Sequence, residues 1–189
     1  MSKSNTAAVE GKPKVFICYA SEDRDLLANF VRKFKAFNHE LDASFYDQIP
    51  THPSEDKTMH ARFIRFAKKC EVALILGSAP LAIPDSYASK NELPILKERR
   101  QREGLILVGV KLRDFDVEEL NEDGIIDFAQ IFFSHMPRSR ATHKNKDEDN
   151  KQLAIYNQID EDDQDTYHRL LKNWIKKLLE EAKKNIKPV

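Results

Sequence analysis

The chain is poor in the residues that announce several common chemistries. Its 189 residues include two cysteines, five glycines and one tryptophan. Cys18 and Cys70 make neither a CxxC pair nor a disulfide framework, and Cys18, inside an apolar run, reads as a small buried hydrophobe. There is no GxxxxGK phosphate loop and no GxGxxG turn, so a nucleotide held as a cofactor on a glycine-rich turn is excluded. No apolar run reaches membrane-spanning length. Neither sign of charge is in excess. The 31 basic and 31 acidic residues cancel, leaving no overall positive field for nucleic acid or an anionic membrane. No Ser-His-Asp or Cys-His arrangement has a supporting local motif. His52 and His60 lack partners at metal-ligand spacing and read as surface residues. The first stretch, MSKSNTAAVEGK, has no apolar core and reads as no signal peptide, so a cytoplasmic protein is expected. No internal repeat is visible.

What the chain does have is a hydrophobic fraction of 41%, enough for a core. The simplest division is a flexible tail over 1–13, a single α/β domain over 14–184 and a short tail over 185–189. Val15 to Tyr19 is β-branched, aromatic and apolar, and too short for a helix. It reads as a strand buried on both faces. A polar turn at Ala20–Arg24 follows, then a helical stripe of Leu26, Leu27, Phe30, Val31, Phe34 and Phe37. Ala43–Tyr46 reads as a second strand, and Pro50 and Pro53 make the next stretch a loop. A helix starting near Ser54 or Glu55 carries Met59, Phe63, Phe66, Ala67 and Cys70 on one stripe.

Val72–Leu76 is the cleanest buried strand. It ends in Gly77, Ser78, Ala79 and Pro80, small residues that let something approach the backbone. Asp85 or Ser86 caps the next helix. Pro94 is expected to kink it, or to delay its true start to Lys90 or Asn91. Leu105–Val110 is a fourth strand, Asp116–Glu122 a short helical turn and Ile131–Phe133 a fifth, edge strand. Residues 136–165 are dense in charge and read as a solvated loop. A periodic helix over 166–184 closes the domain, with acidic residues at its start and lysines at its end.

Five strands separated by helices and loops predict a flavodoxin-like three-layer sandwich. Its parallel sheet takes the order 2-1-3-4-5. The switch point then falls between the first and third strands. The turns at Ala20–Arg24 and Gly77–Asp85 flank one crevice, with the Asp47–Lys57 loop beside them.

In their order and spacing, these segments resemble a Toll/interleukin receptor (TIR) domain over roughly residues 14–116, and more weakly to the last helix. VFICYASEDRD is similar to the family's first strand and Ser-x-x-Asp turn. FYDQIP resembles its second strand and the start of a mobile loop, and VALILGSAPL its third strand and serine-bearing loop. SYASKNEL resembles the segment whose glutamate is catalytic in members that degrade NAD, and LILVGVKLRDFD the fourth strand. The resemblance implies that Glu92 is catalytic. It implies that Tyr19, Ala20, Ser21, Asp47, Ser78 and Tyr87 line the substrate site. NAD+ is then the substrate, with no resident cofactor and no metal.

The chemistry has a plain reason. Breaking the nicotinamide–ribose bond builds positive charge on the sugar, which a fixed carboxylate stabilises. Nicotinamide is already cationic and leaves without an acid. Enzymatic members often carry a tryptophan four residues before this glutamate, where this chain has Ala88. Either the adjacent Tyr87 supplies the aromatic wall or the pocket differs. The resemblance further implies self-association through TIR–TIR contacts, a separate sensor or effector protein, and a place in prokaryotic antiphage signalling.

Two other readings stand beside this one. In the first, a non-catalytic TIR adaptor self-associates and leaves Glu92 solvated or blocked. In the second, a nucleoside deoxyribosyltransferase-like enzyme shares the sheet and a glycosidic carboxylate. Ordinary structural roles also compete at each position. Tyr19 can be core packing, Ser21, Glu22 and Asp23 can be helix caps, Ser78 a cap or a phosphate ligand, and Asp47 a turn residue.

Overall fold

The structure, a computed structural model, describes residues 11–42, 57–129, 131 and 154–185. Strand β1 (Val15–Cys18) is buried at every position, as its lack of a polar face requires. It ends one residue before Tyr19. A 3₁₀ turn at Ser21–Asp23 leads into α1 (Arg24–Phe37), which buries Leu27, Phe30, Val31 and Phe34 on the expected stripe. Helix α2 (Lys57–Ala67) precedes β2 (Val72–Gly77), whose six residues are all buried. Three short or broken helices follow: α3 (Ala79–Ala82), α4 (Tyr87–Asn91) and α5 (Leu93–Glu103). Then come β3 (Ile106–Lys111), α6 (Val117–Asn121), β4 (Asp127–Phe128) and the long α7 (Glu161–Asn185).

The described strands form one parallel sheet in the order β1-β2-β3-β4. Cys18 stands opposite Ile75, and Gly77 opposite Lys111. On the free edge of β1, Lys14 bridges Asp42 in parallel, and the Val15 N–H donates to the Asp42 carbonyl at 2.8 Å. The chain therefore leaves residue 42 alongside β1, opposite β2. The expected second strand, Ala43–Tyr46, lies outside the described residues.

Alternation along the strands sorts the core into two halves. Val15, Ile17, Leu74, Leu76, Val108 and Val110 face α1 and α7. Phe16, Cys18, Ala73, Ile75 and Leu107 face residues of α2, α4 and α5. Helices thus cover both faces of a parallel sheet. None of the described helices is long and apolar enough to cross a membrane.

Three expectations are corrected. Of the expected edge strand Ile131–Phe133, Phe132 and Phe133 lie outside the described residues and Ile131 is in no strand; a strand that the sequence did not suggest lies at Asp127–Phe128. The cause is a fit between Phe128 and Gly109, its partner in β3: a Cβ on Gly109 would lie only 2.6 Å from the Phe128 ring. The reading of 136–165 as a solvated loop fails at its far end. Ala154, Ile155, Tyr156 and Ile159 are buried, and the Ala154 N–H donates to the Ile131 carbonyl at 2.8 Å. The closing helix accordingly begins at Glu161, where the Asp160 carboxylate accepts from the Asp163 N–H at 2.8 Å. Flanking charge had hidden a short apolar stretch.

Candidate active site

The segment carrying Glu92 is built by two local signals. Ser86 caps α4, its hydroxyl accepting from the Ser89 N–H at 3.2 Å. Pro94 sits in the first turn of α5, where its missing N–H costs little. The expected kink is thus a break between two helices, and Glu92 occupies the junction as the C-cap of one and the N-cap of the next. Its backbone stays tied on both sides. The Glu92 N–H donates to the Ala88 carbonyl at 2.9 Å, and its carbonyl accepts from the Leu96 N–H at 3.1 Å.

From this junction the Glu92 side chain turns inward and is 2% exposed. It comes near the Cys18 thiol at the carboxyl end of β1, itself fully buried. Burial pushes the Glu92 carboxyl up to about 8, and the neighbouring Cys18 thiol pulls the other way. Burial first, and then the Glu92 charge, raise the Cys18 thiol well above its ordinary value. Ala88, where enzymatic TIR members often have tryptophan, is buried in the same half of the core.

Tyr87 provides the aromatic side of this corner. It is half-buried, with ring edges against His60 and Phe63. Its hydroxyl lies 2.6 Å from His60 Nδ1. Burial, and secondarily the Glu92 charge, push its hydroxyl up to about 12. His60, expected at the surface, is therefore half-buried and engaged. Cys18, His60, Tyr87 and Glu92 converge from β1, α2 and the α4–α5 break.

A second cluster lies at the carboxyl ends of β1, β2 and β3. Asp23 is fully buried. One of its oxygens accepts from the Ser78 hydroxyl at 2.5 Å, the other from Arg113 Nε at 2.5 Å. Arg113 also reaches Asp25 Oδ1 at 2.9 Å. Ser78 additionally accepts from the Leu81 N–H at 3.4 Å, capping α3. Its hydroxyl proton is thus committed to Asp23 rather than offered to a phosphate. The space beside Gly77 is filled as well: a Cβ there would lie 2.5 Å from the Phe115 ring.

The remaining expected residues separate. Ala20 is buried on the Cys18 side of the sheet. Tyr19 packs against the other half of the core, with α1 and α7. Ser21 is exposed and donates to the Glu22 carboxylate at 3.0 Å. Asp47 lies outside the described residues. The structure thus brings Ala20 and Tyr87 to the Glu92 side, holds Ser78 in the Asp23 cluster, and leaves Tyr19 on the opposite face. Sequence reasoning missed Cys18, His60 and Arg113 as polar partners. An apolar run hides the first, and no local motif marks the others. No group of three or more His, Cys, Asp or Glu among the described residues could hold a metal ion.

No family model matches the chain, and no curated protein and no solved structure matches it.

Proposed function

We propose that this chain is a TIR-type NAD+ glycohydrolase or ADP-ribose cyclase that cleaves the nicotinamide–ribose bond with Glu92. On this reading the sheet is five-stranded and flavodoxin-like, in the order 2-1-3-4-5, with Ala43–Tyr46 outside β1. The observation that carries the reading is a lone buried carboxyl near the carboxyl end of β1, the end at which this strand order would put the switch between β1 and β2. Open α/β sheets bind ligands there.

Its raised pKa fits the task. With a pKa of about 8, the carboxyl is mostly protonated at pH 7 in the resting chain. A bound nicotinamide cation favours the ionised form and draws the proton off. The resulting carboxylate stabilises the sugar cation as the glycosidic bond breaks. The bonding pair passes to the ring nitrogen, and neutral nicotinamide leaves. Water then adds to the ribose carbon and releases a proton, giving ADP-ribose. Attack by an adenine nitrogen instead gives the cyclic product.

Closure of Glu92 in the single chain supports a protein that is silent when dilute and becomes active on self-association. A cytoplasmic signalling role in prokaryotic antiphage defence, triggered by a separate sensor or read by a separate effector, follows from the family resemblance. The same closure favours a second reading, an adaptor that self-associates without catalysis, because substrate has no open path to a side chain 2% exposed.

One experiment separates them. Concentrated protein is incubated with NAD+ and free nicotinamide is quantified, for wild type and for Glu92→Ala. The enzymatic reading expects release by wild type and a loss of at least about a hundredfold in the variant. Equal release from both would remove Glu92 from the reaction. No release under any assembly condition would leave the adaptor.

A further inference from the structure

We infer that a cavity between the end of α1 and α7 is a binding site for a small heteroaromatic acid, one that carries a ring N–H as well as its carboxylate. The cavity has a volume of about 200 Å³. It lies beside Pro13, at the amino end of β1, on the side of the sheet that α1 and α7 cover. Glu92 comes near Cys18, at the other end of β1 and on the other side of the sheet. The cavity is therefore separate from the proposed reacting corner. Backbone hydrogen bonds fix its wall. The Asn38 N–H donates to the Phe34 carbonyl at 2.9 Å, the Leu41 N–H to the Asn38 carbonyl at 2.9 Å, and the Asp42 N–H to the Pro13 carbonyl at 2.8 Å. A ligand meets a wall that is already formed, which lowers the cost of binding.

Three features define the ligand. The first is size: Pro13, Leu41, Ile175 and Leu179 give apolar walls, and since a dry cavity of ~150 Å³ holds benzene, this one suits one or two fused rings. The second is a missing donor. Asn38 also lines the cavity and is 2% exposed. Its amide nitrogen donates to the Phe34 carbonyl at 2.9 Å, while its amide oxygen has no hydrogen-bond partner among the described residues. A buried acceptor left without a donor is costly, and a ligand N–H removes that cost. The third is charge at the mouth. Lys172 Nζ and Lys176 Nζ each lie 3.0 Å from a different oxygen of Glu40. With Glu180 and Lys183, three ammonium groups stand against two carboxylates, so the lining carries one positive charge in excess. A ligand carboxylate can take one lysine while Glu40 keeps the other. Size, donor and charge together describe an acid of the indole-acetate type.

The test titrates the full chain with indole-3-acetate and follows backbone and side-chain amide signals by NMR. Half-saturation is expected near a millimolar or below. The shifts should fall on residues 38–41, on the Asn38 side-chain amide and on residues 175–183. No shift at about 10 mM ligand, or shifts elsewhere in the chain, overturns the inference. Two analogues separate the features. Benzofuran-3-acetate keeps the shape and the charge but has an oxygen where the parent has N–H, and should bind about tenfold more weakly. At low salt, 3-methylindole keeps the ring and the N–H but lacks the carboxylate, and should also bind about tenfold more weakly. An analogue that matches the parent overturns the chemistry assigned to the site.

Substitutions then locate the contacts. The double variant Lys172→Gln, Lys176→Gln is expected to bind indole-3-acetate about tenfold more weakly and 3-methylindole as wild type does. Asn38→Leu removes the acceptor at similar size and should erase the difference between indole-3-acetate and benzofuran-3-acetate. A difference that survives in Asn38→Leu overturns the role of its amide oxygen. If Asn38→Leu does not fold, the lysine variant decides alone: unchanged affinity for indole-3-acetate refutes the site, and weakened affinity upholds it. Nicotinamide release plays no part in these readouts, so the outcome for Glu92 leaves the test standing.

Discussion

Asp23 and Arg113, ninety positions apart, meet as an ion pair whose acidic partner is fully buried, Nε to Oδ1 at 2.5 Å. With Ser78 on the other carboxylate oxygen, the pair ties the ends of three strands together. Arg113→Ala leaves Asp23 buried with one partner fewer. A fully buried pair broken in this way costs ~3–5 kcal/mol. Arg113 is a third exposed and water can replace part of its contact, so about 2 kcal/mol is expected. Urea unfolding of Arg113→Ala, Ser78→Ala and the double variant checks it. The double variant should fall short of the sum, because both partners satisfy one carboxylate. An unchanged midpoint for Arg113→Ala would mean that solvent satisfies Asp23 unaided.

Glu92 gives stability an unusual dependence on pH. Its folded pKa stands near 8 against an ordinary 4.5. Below 4.5 it is protonated in both folded and unfolded chains. As pH rises from there toward 8, the unfolded chain releases the proton and the folded chain keeps it, so stability falls across that window and then levels off. The neutral Glu92→Gln removes this loss. Relative to wild type, the variant should gain stability steadily between pH 5 and pH 8, read as the gap between urea midpoints. Under the enzymatic reading, wild-type kcat/KM should rise over the same range, with the kcat midpoint lower because bound cation favours the carboxylate. A gap that does not widen with pH would refute the buried neutral carboxyl.

His168 works in the opposite direction, on the other face of the sheet. It is fully buried among Phe30, Phe37 and Tyr156, with Nε2 3.0 Å from the Tyr156 hydroxyl. Burial, and then the Lys33 charge, push it down to about 3 from an ordinary 6.5. Above 6.5 it is neutral in both states. As pH falls below that, the unfolded chain takes up the proton first, and stability is lost down to about 3. His168→Phe leaves the Tyr156 hydroxyl only its long 3.5 Å bond to Gln164 Oε1 and should cost about 1–2 kcal/mol at pH 7. That deficit should shrink by pH 5, in guanidine or thermal unfolding at the two values. A deficit independent of pH would show that His168 does not titrate on unfolding.

The contact of Gly109 with Phe128 predicts a paired result. Gly109→Ala forces a Cβ to within 2.6 Å of the buried ring. Overpacking of this kind costs ~1–3 kcal/mol. Combining it with Phe128→Leu should recover part of the loss, because the obstructing ring is gone. Thermal melts of the two single variants and the double test this. Full additivity would mean that the ring and the new methyl never compete.

Much of the layer plan was legible in the chain. The runs at Val15, Val72 and Leu105 are apolar at consecutive positions, and only a strand covered on both faces buries such a run. The stripe from Leu27 to Phe34 is periodic enough to name a helix face. Pro94 announced a disturbance beside Glu92, because a residue without an N–H cannot continue a helix. The strand at Asp127–Phe128 was missed because its position is set by the bare backbone of Gly109, a feature of another strand. The buried stretch from Ala154 to Ile159 was overlooked because charge on both sides outweighed it.

Local chemistry in the sequence determined the strands, the helix faces and the presence of a glutamate at a helix break. Tertiary structure alone decided what surrounds that glutamate. Whether a carboxyl is charged depends on the water withdrawn from it and on the donors brought to it. Cys18 comes beside Glu92, and Arg113 reaches Asp23, only when distant segments pack together. Spacing along a chain encodes which residues share a helix or a strand, whereas the proton on Glu92 is set by neighbours that the folded layers supply.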